Sequence, residues 1–267
     1  QTSKPPFGLI HSVPLFLLTA AFYNNDILGK FLRKVRTIPP VLYDQFILQM
    51  TEVWYRTVLE KIEEGSVILD IGIGTGGALL RCKDLILSKK LHVVGIDYNS
   101  LYIDAAKQAI KEASLEDCID VVCMSIYDTK RLVELRKQKK KNGAVNEDVT
   151  KSSILLEFDA VYFSGSFSLL PSPIEALNVA MECLKPKSGL VYITQTFQHH
   201  SPPLFGLIKP FIKYATTIDF GRLITEDEIL ALYSQSNLEI VTHTKIKGSI
   251  NNRFQAAYIS LLKPCST

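Results

Sequence analysis

The sequence has few cysteines, and they are not grouped. Its five cysteines are scattered over 267 residues, without a CxxC pair or the spacing of a zinc finger. This distribution argues against a metal site and favours a reducing environment over secretion. We therefore expect a cytoplasmic protein with no bound metal.

The chain also lacks a long apolar run and a strong excess of charge. Residues 13–23 are apolar but number only about eleven, which is too short to span a bilayer. The net charge of +3 is too small to indicate nucleic-acid binding, so we expect no nucleic acid as a partner. A length of 267 residues suits one α/β domain with additions, or at most two small domains.

Residues 1–40 differ from the rest of the sequence. Their apolar stretch is followed by residues 29–36, in which basic and apolar side chains are interleaved. This pattern is typical of a helical cap over an active site, and also of a helix lying on an anionic membrane surface. Both interpretations stay open. Because the first residue is Gln1 and not methionine, a leader or anchor could precede it.

The rest of the chain is organised around residues 66–80, SVILDIGIGTGGALL. Residues 67–69 predict a buried strand, because they are apolar or β-branched without helical spacing. Four glycines follow within six residues, at Gly72, Gly74, Gly76 and Gly77. They permit a tight turn whose backbone can touch a ligand, and residues 78–80 then open a helix whose free N–H groups point at the same ligand. The stretch predicts a nucleotide-binding corner.

The glycine spacing fits two classes of ligand. Gly72-x-Gly74-x-x-Gly77 matches the GxGxxG of dinucleotide-binding folds, in which the helix start holds a pyrophosphate. Gly72-x-Gly74-x-Gly76, with Asp70 two residues upstream, instead resembles motif I of the class I S-adenosylmethionine-dependent methyltransferases. A carboxylate repels a pyrophosphate but suits a ligand that carries an ammonium and a sulfonium. The sequence favours the methyl donor, and an NAD-binding Rossmann oxidoreductase remains the alternative.

A second acid follows at the end of the next predicted strand. Residues 91–97, LHVVGID, end in Asp97, about twenty residues beyond the glycines, where a ribose-binding carboxylate is expected. A carboxylate there accepts from both ribose hydroxyls. Asp97 could instead cap the following helix, although Asn99 and Ser100 are available for that purpose.

The remaining pattern alternates between strands and helices. Strands are predicted at residues 119–124, 158–164, 189–196, 238–246 and 254–262, and helices at 41–62, 100–113, 172–184 and 225–236. Ser172 and Glu175 predict a capping box, and residues 225–228 predict the cap of the last helix. The basic helix and polar stretch of residues 130–157 predict a solvated, partly disordered insertion, with a docking patch for an acidic partner or phospholipid as the alternative.

Over about residues 41–263, the sequence resembles the class I methyltransferases. The resemblance combines the glycine turn, the second acid, the strand FDAVYFS and the two terminal strands. The resemblance implies a Rossmann-like, doubly wound α/β fold, with a seven-stranded, mostly parallel sheet and an antiparallel C-terminal hairpin. We expect an N-terminal helical cap at residues 1–40 and a methyltransferase domain at 41–267. A lid insertion rich in proline and aromatic residues is expected at about residues 197–224, with a loop packed on the N-terminal helices as the alternative.

The resemblance also implies which residues bind S-adenosyl-L-methionine. Asp70 would hold the amino group of the donor, Asp97 would hold its ribose, and Tyr98 and Ile126 would sandwich its adenine. The expected set is Tyr43, Asp70, Gly72, Gly74, Thr75, Gly76, Asp97, Tyr98, Ser125, Ile126, Ser164 and Gly165.

Two of these positions need comment. Ser125 stands where the family usually has an acid for the adenine amino group, and Asp128 is a substitute acceptor. Tyr43 lies on the helix upstream of the glycine turn, from which a tyrosine often reaches the donor in the resembling family.

The implied activity is in-line transfer of the sulfonium methyl group to an N, O, S or C nucleophile, which leaves S-adenosyl-L-homocysteine. If the acceptor loses a proton, His199 and His200 are the candidate catalytic bases, with Tyr23 and Tyr214 as alternatives. A small or amphipathic acceptor, shielded by the cap and the lid, is the first hypothesis. A methyltransferase for protein side chains and a binding module without turnover are the alternatives. We also expect peripheral membrane contact through residues 1–40, if that segment is not only a cap.

Overall fold

The structure, a computed structural model, describes residues 40–143, 156–198, 225–253 and 255–265. Side chains are described from Leu48 onward, except those of residues 138–143. From Ile47 onward the described residues belong to one compact unit. The predicted cap of residues 1–40 lies outside the described residues except for Pro40, and the predicted lid lies outside them after Gln198.

Helices and strands alternate along most of the described chain. The helices are α1 (Pro40–Leu59), α2 (Gly77–Leu80), α3 (Lys83–Ser88), α4 (Ser100–Glu112), α5 (Thr129–Gly143), α6 (Pro173–Cys183) and α7 (Glu226–Ser234). The strands are β1 (Val67–Ile71), β2 (His92–Asp97), β3 (Ile119–Cys123), β4 (Ala160–Ser164), β5 (Leu190–Gln198), β6 (Leu238–Lys245) and β7 (Gln255–Pro264). A 3₁₀ turn, Phe167–Leu169, follows β4.

The seven strands form one sheet in the order β3-β2-β1-β4-β5-β7-β6. Strands β1 to β5 pair in parallel, whereas β7 is antiparallel to both β5 and β6. The predicted Rossmann-like α/β sheet with an antiparallel C-terminal hairpin is therefore confirmed. The strand order reverses between β1 and β4, and ligands of such sheets bind beyond the carboxyl ends of the strands at this point.

The core consists of two apolar layers, one on each face of the sheet. Leu69 and Phe163 belong to the layer that includes residues of α6 and α7. Ile68 and Tyr162 belong to the layer that includes residues of α1 and α4. The strands are apolar on both faces because helices cover both faces. This arrangement leaves the strand ends as the place where polar groups can be used.

Two predicted helix caps have different outcomes. The capping box expected at Ser172 and Glu175 is wrong, because the Ser172 side chain makes no cap hydrogen bond. The backbone N–H of Ser172 instead donates to the hydroxyl oxygen of Tyr127 at 3.1 Å. The cap expected at Thr225 is confirmed as a capping box with Glu228.

The basic segment after β3 forms the predicted helix, α5, but its first half is anchored to the core. Leu132, Leu135 and Arg136 are buried, and Arg136 Nε donates to the carbonyl oxygen of Leu156 at 2.7 Å. The prediction of a solvated insertion is therefore wrong for this half of the helix. Residues 144–155 lie outside the described residues.

Membrane spans and metal clusters were expected to be absent. Within the described ranges, no helix is both long and apolar enough to cross a membrane. In the same ranges, no three His, Cys, Asp or Glu side chains lie close enough together to hold a metal ion.

Candidate functional site

The glycine-rich turn connects the carboxyl end of β1 to α2. Gly72 and Gly74 have φ values of 79° and 60°, in the region that favours glycine. The Gly72 N–H donates to the carbonyl oxygen of Ile96 at 2.8 Å, which fastens the turn to β2. A Cβ on Gly72 would lie 2.5 Å from the Cβ of Ser166, whereas a Cβ on Gly74 would meet no described atom within 4 Å. Packing therefore requires the first glycine, and the second faces open space.

The helix after the turn is short and interrupted. Gly76, with φ 71°, is the N-cap of the four-residue helix α2, and Thr75 before it is exposed. The helix predicted to open at residues 78–80 is present as α2, and Arg81 and fully buried Cys82 separate it from α3. So short a helix has a weak dipole at its start.

Asp97 reaches across from β2 and closes the turn. Its Oδ2 accepts from the Gly74 N–H at 3.0 Å, and its Oδ1 accepts from the Asn99 N–H at 2.9 Å. Each carboxylate oxygen keeps further acceptor capacity, so both can also accept from the hydroxyls of a ligand. The alternative role of Asp97 as a helix cap is wrong, because Asn99 caps α4 by accepting from the Leu101 N–H at 3.0 Å.

Asp70 is fully buried near the carboxyl end of β1. Its Oδ2 accepts from the Tyr55 hydroxyl at 2.7 Å, while its Oδ1 is buried and has no partner in the described part of the chain. Burial raises the pKa of Asp70 to about 7, the charge of Asp97 adds to the rise, and the Tyr55 hydrogen bond opposes it. A buried polar atom without a partner costs about 1–3 kcal/mol or more, and a ligand ammonium would remove that cost.

Further polar groups extend from Tyr55 towards β5 on the same face of the sheet. The rings of Tyr55 and Tyr162 meet edge to face with centroids 5.1 Å apart, and the Tyr162 hydroxyl lies 2.8 Å from Thr194 Oγ1. Burial raises the pKa of both tyrosines, which therefore stay protonated at neutral pH. Ser164 Oγ lies near enough to both hydroxyls to lower their pKa, yet its orientation gives no hydrogen bond among the described atoms.

Trp54 forms an apolar wall beside the end of β4. Its Nε1 donates to Ser249 Oγ at 2.8 Å, and its ring lies 3.1 Å from the position that a Cβ on Gly165 would take. Gly165 has φ 68°, and its N–H donates to the carbonyl oxygen of Thr194 at 2.8 Å. A side chain at position 165 would therefore crowd the buried Trp54 ring, and glycine lets the chain pass close to it.

The residues predicted around adenine lie beyond β2 and β3. Ser125 makes a local hydrogen bond within its own turn, and Asp128 accepts from a backbone N–H at the start of α5. Ile126 is 3% exposed and belongs to the core, whereas Tyr98 is 82% exposed. The sandwich of adenine between Tyr98 and Ile126 stays a prediction. Of these two side chains, only that of Tyr98 is at the surface.

Several predicted residues have no described side chain. Tyr43 lies on α1, but its side chain is not among the described ones. The candidate bases His199 and His200 and the alternatives Tyr23 and Tyr214 lie outside the described residues. Their roles stay predictions.

The sequence alone singled out neither Tyr55 nor Trp54 as a site residue. Two physical arguments could have pointed to Tyr55. A buried acid such as Asp70 needs a hydrogen-bond donor, and a buried tyrosine hydroxyl needs a partner. Tyr55 contacts Asp70 of β1, and Trp54 packs against Gly165 after β4. These two residues of α1 are consecutive, so the helix contacts the site at both strands.

Comparisons with known proteins agree with this geometry. A family model described as "Methyltransferase domain" matches residues 48–243. A comparison with curated proteins gives no significant match.

Several solved structures share the fold. A SAM-dependent methyltransferase from Geobacter sulfurreducens, in complex with S-adenosyl-L-homocysteine, is 13% identical with a TM-score of 0.50 over 80% of this chain and 90% of its own. Geranyl diphosphate methyltransferase, in complex with SAM, is 9% identical with a TM-score of 0.53 over 80% of this chain and 85% of its own. The cyclase SpnF is 15% identical with a TM-score of 0.54 over 80% of this chain and 82% of its own. Identities this low establish likeness of fold alone.

Proposed function

The chain belongs to the methyltransferase-domain family, and on that premise we propose that it binds S-adenosyl-L-methionine and transfers the methyl group to a small or amphipathic acceptor. The observation that carries the proposal is Asp70 Oδ1, a buried oxygen without a partner in the described chain. It lies on β1, next to the point where the strand order reverses. A buried carboxylate at this place fits a cationic ligand better than any neutral or anionic one.

Each of the two carboxylates would bind a different part of the donor. When bound, S-adenosyl-L-methionine supplies a methyl group on a sulfonium to a nucleophile by in-line displacement. Asp70 Oδ1 would accept from the ammonium of the donor, and Asp97 would accept from its ribose hydroxyls. The open side of Gly74 would let the ligand lie against the backbone. The protein has mainly to position the two reactants, because the methyl group is already activated.

The residues at the end of β4 support the proposed class of acceptor. Ser164 and Gly165 are small residues at the end of β4, and the buried Trp54 ring packs against Gly165. An apolar wall with a few polar groups suits a small or amphipathic molecule. The alternative acceptor is a protein side chain, which would need an open groove.

Labelled donor separates these acceptors. The protein is incubated with methyl-labelled S-adenosyl-L-methionine and fractionated cell extract, and label is expected in the small-molecule or lipid fraction. Label in protein would establish the alternative, and a catalytically damaged variant such as Asp70→Asn serves as the matched blank.

A second candidate function is donor binding without methyl transfer. The likeness to the cyclase SpnF favours testing binding and transfer separately, because a fold does not fix a reaction. Calorimetry with S-adenosyl-L-methionine, S-adenosyl-L-homocysteine and NAD tests binding directly. Binding of NAD in place of the methyl donor would overturn the proposal, whereas donor binding with no labelled product in any fraction would support the binding module.

We further propose a cytoplasmic location, with membrane contact through residues 1–40. Flotation with anionic and neutral vesicles, with and without residues 1–39, tests the contact. Equal flotation of the two chains on anionic vesicles would reject it.

A further inference from the structure

Tyr55 and Asp70 form a buried pair at the base of the proposed donor site. Tyr55 is 4% exposed and Asp70 is fully buried. The Tyr55 hydroxyl donates to Asp70 Oδ2 at 2.7 Å, and Oδ1 is left without a partner in the part of the chain that the structure describes. The two oxygens of one carboxylate therefore have different surroundings.

We propose that Tyr55 is a positioning residue for the methyl donor: its hydroxyl holds Oδ2 of Asp70 and favours the ionised carboxylate, so that Oδ1 can bind the donor's ammonium. The inference rests on the proposed function, because it takes the ammonium of S-adenosyl-L-methionine as the ligand of Asp70. Tyr55 acts through Asp70. It is distinct from Tyr43, the tyrosine of α1 that the sequence placed at the donor.

Among the residues that the structure describes, the charged and titratable groups around Asp70 come from three elements. Tyr55 on α1 donates to it, Asp97 on β2 adds a negative charge, and Tyr162 on β4 packs against the Tyr55 ring. Burial and Asp97 both favour the neutral acid, and the hydrogen bond from Tyr55 favours the carboxylate. A hydrogen bond to a charged group is worth more than one to a neutral group, so its loss shifts the balance towards the acid. A neutral acid would not attract an ammonium.

The position of the Tyr55 hydroxyl is fixed by its neighbour on the helix. Trp54 is 3% exposed, is hydrogen-bonded to Ser249 at 2.8 Å and packs against Gly165. Consecutive helical residues point about 100° apart, so these contacts fix the rotation of α1 about its axis. The hydroxyl is thereby held ready before any ligand binds, which is what a positioning group requires.

Calorimetric titration with S-adenosyl-L-homocysteine tests the role, because this product keeps the ammonium of the donor. Kd is measured between pH 5.5 and 8.5 for the wild type, Tyr55→Phe and the matched control Tyr162→Phe. In the wild type we expect binding to weaken on acidification as Asp70 takes up a proton. In Tyr55→Phe we expect the midpoint of that change to rise by about one to two pH units, since one charge-assisted hydrogen bond is lost.

The control loses a buried hydroxyl of the same kind, but one that pairs with Thr194 and not with Asp70. Its midpoint should stay at the wild-type value. Thermal unfolding verifies that each variant is folded. Asp70→Asn gives a second readout, because removal of the titrating group should flatten the pH dependence.

Each possible result of the titrations either supports the proposal or overturns it. A midpoint in Tyr55→Phe that equals the wild-type one overturns the proposal, and so does an equal rise in Tyr162→Phe or a midpoint that persists in Asp70→Asn. A wild type that binds neither donor nor product at any pH overturns the proposed function as well. Binding with an unshifted midpoint overturns only the role of Tyr55.

Discussion

The charge of Asp70 is expected to destabilise the protein when no ligand is bound. The pKa of this carboxyl rises from an ordinary value of 3.8 to about 7, mainly through burial. The folded state therefore holds a proton that the unfolded state has already released, and stability falls as pH rises from about 4 to about 7. A difference of about three pH units corresponds to about 4 kcal/mol of unfolding free energy.

Replacing Asp70 with Asn keeps the shape of the side chain and removes the charge. The variant and the wild type should have similar unfolding free energies at pH 4, where the wild-type carboxyl is protonated in the folded state. At pH 8 the variant should be more stable by about 3–4 kcal/mol. Urea unfolding of both ligand-free proteins at the two pH values measures the difference.

A matched control is Asp104→Asn, which changes an exposed carboxylate on α4. It controls for the loss of a carboxylate as such, because the Asp104 side chain is exposed while Asp70 is fully buried. Equal pH dependence of the wild type and Asp70→Asn would refute the reasoning, since Asp70 would then not carry a buried, uncompensated charge. Such a stabilised but binding-deficient variant is what is expected when a residue is kept for its ligand and not for the fold.

Three further predictions concern the walls of the site. Gly72→Ala should lower the melting temperature, because its Cβ would lie 2.5 Å from the Cβ of Ser166; an unchanged calorimetric melting curve would contradict this. Asp97→Asn should weaken binding of S-adenosyl-L-homocysteine at least about tenfold, because an amide has one acceptor where the carboxylate has two. Equal Kd values by calorimetry would count against it. Trp54→Phe and Ser249→Ala should be coupled by about 1 kcal/mol in a double-mutant cycle of urea unfolding, since each removes the same 2.8 Å hydrogen bond. Strictly additive effects would exclude that bond.

The strands were predictable because their apolar composition is a local property of the sequence. Each predicted strand is present, and the family resemblance drawn from the glycine turn and Asp97 is confirmed. Strand ends were less predictable. β5 continues to Gln198, two residues beyond its predicted end, because it pairs with Gln255 of β7 across the sheet. That pairing joins residues far apart in the sequence.

Contacts that depend on packing were not predictable in the same way. The apolar spacing of α1 shows which side is buried, but not that the Tyr55 hydroxyl would meet Asp70. The capping box predicted at Ser172 is absent for a related reason. The Ser172 N–H donates to the hydroxyl oxygen of Tyr127, which lies 45 residues away in the sequence. The glycines were foreseen as a group, yet only the packed structure separates the crowded Gly72 from the open Gly74.

The placement of the two carboxylates has a consequence for turnover. Asp70 and Asp97 would bind the amino and sugar ends of the donor, and neither end changes when the methyl group leaves. Affinity from these contacts is shared by substrate and by-product, so it lowers the concentration needed for binding without favouring release. On the proposed roles of the two carboxylates, S-adenosyl-L-homocysteine should inhibit the protein strongly, and sustained activity would require another enzyme to remove it.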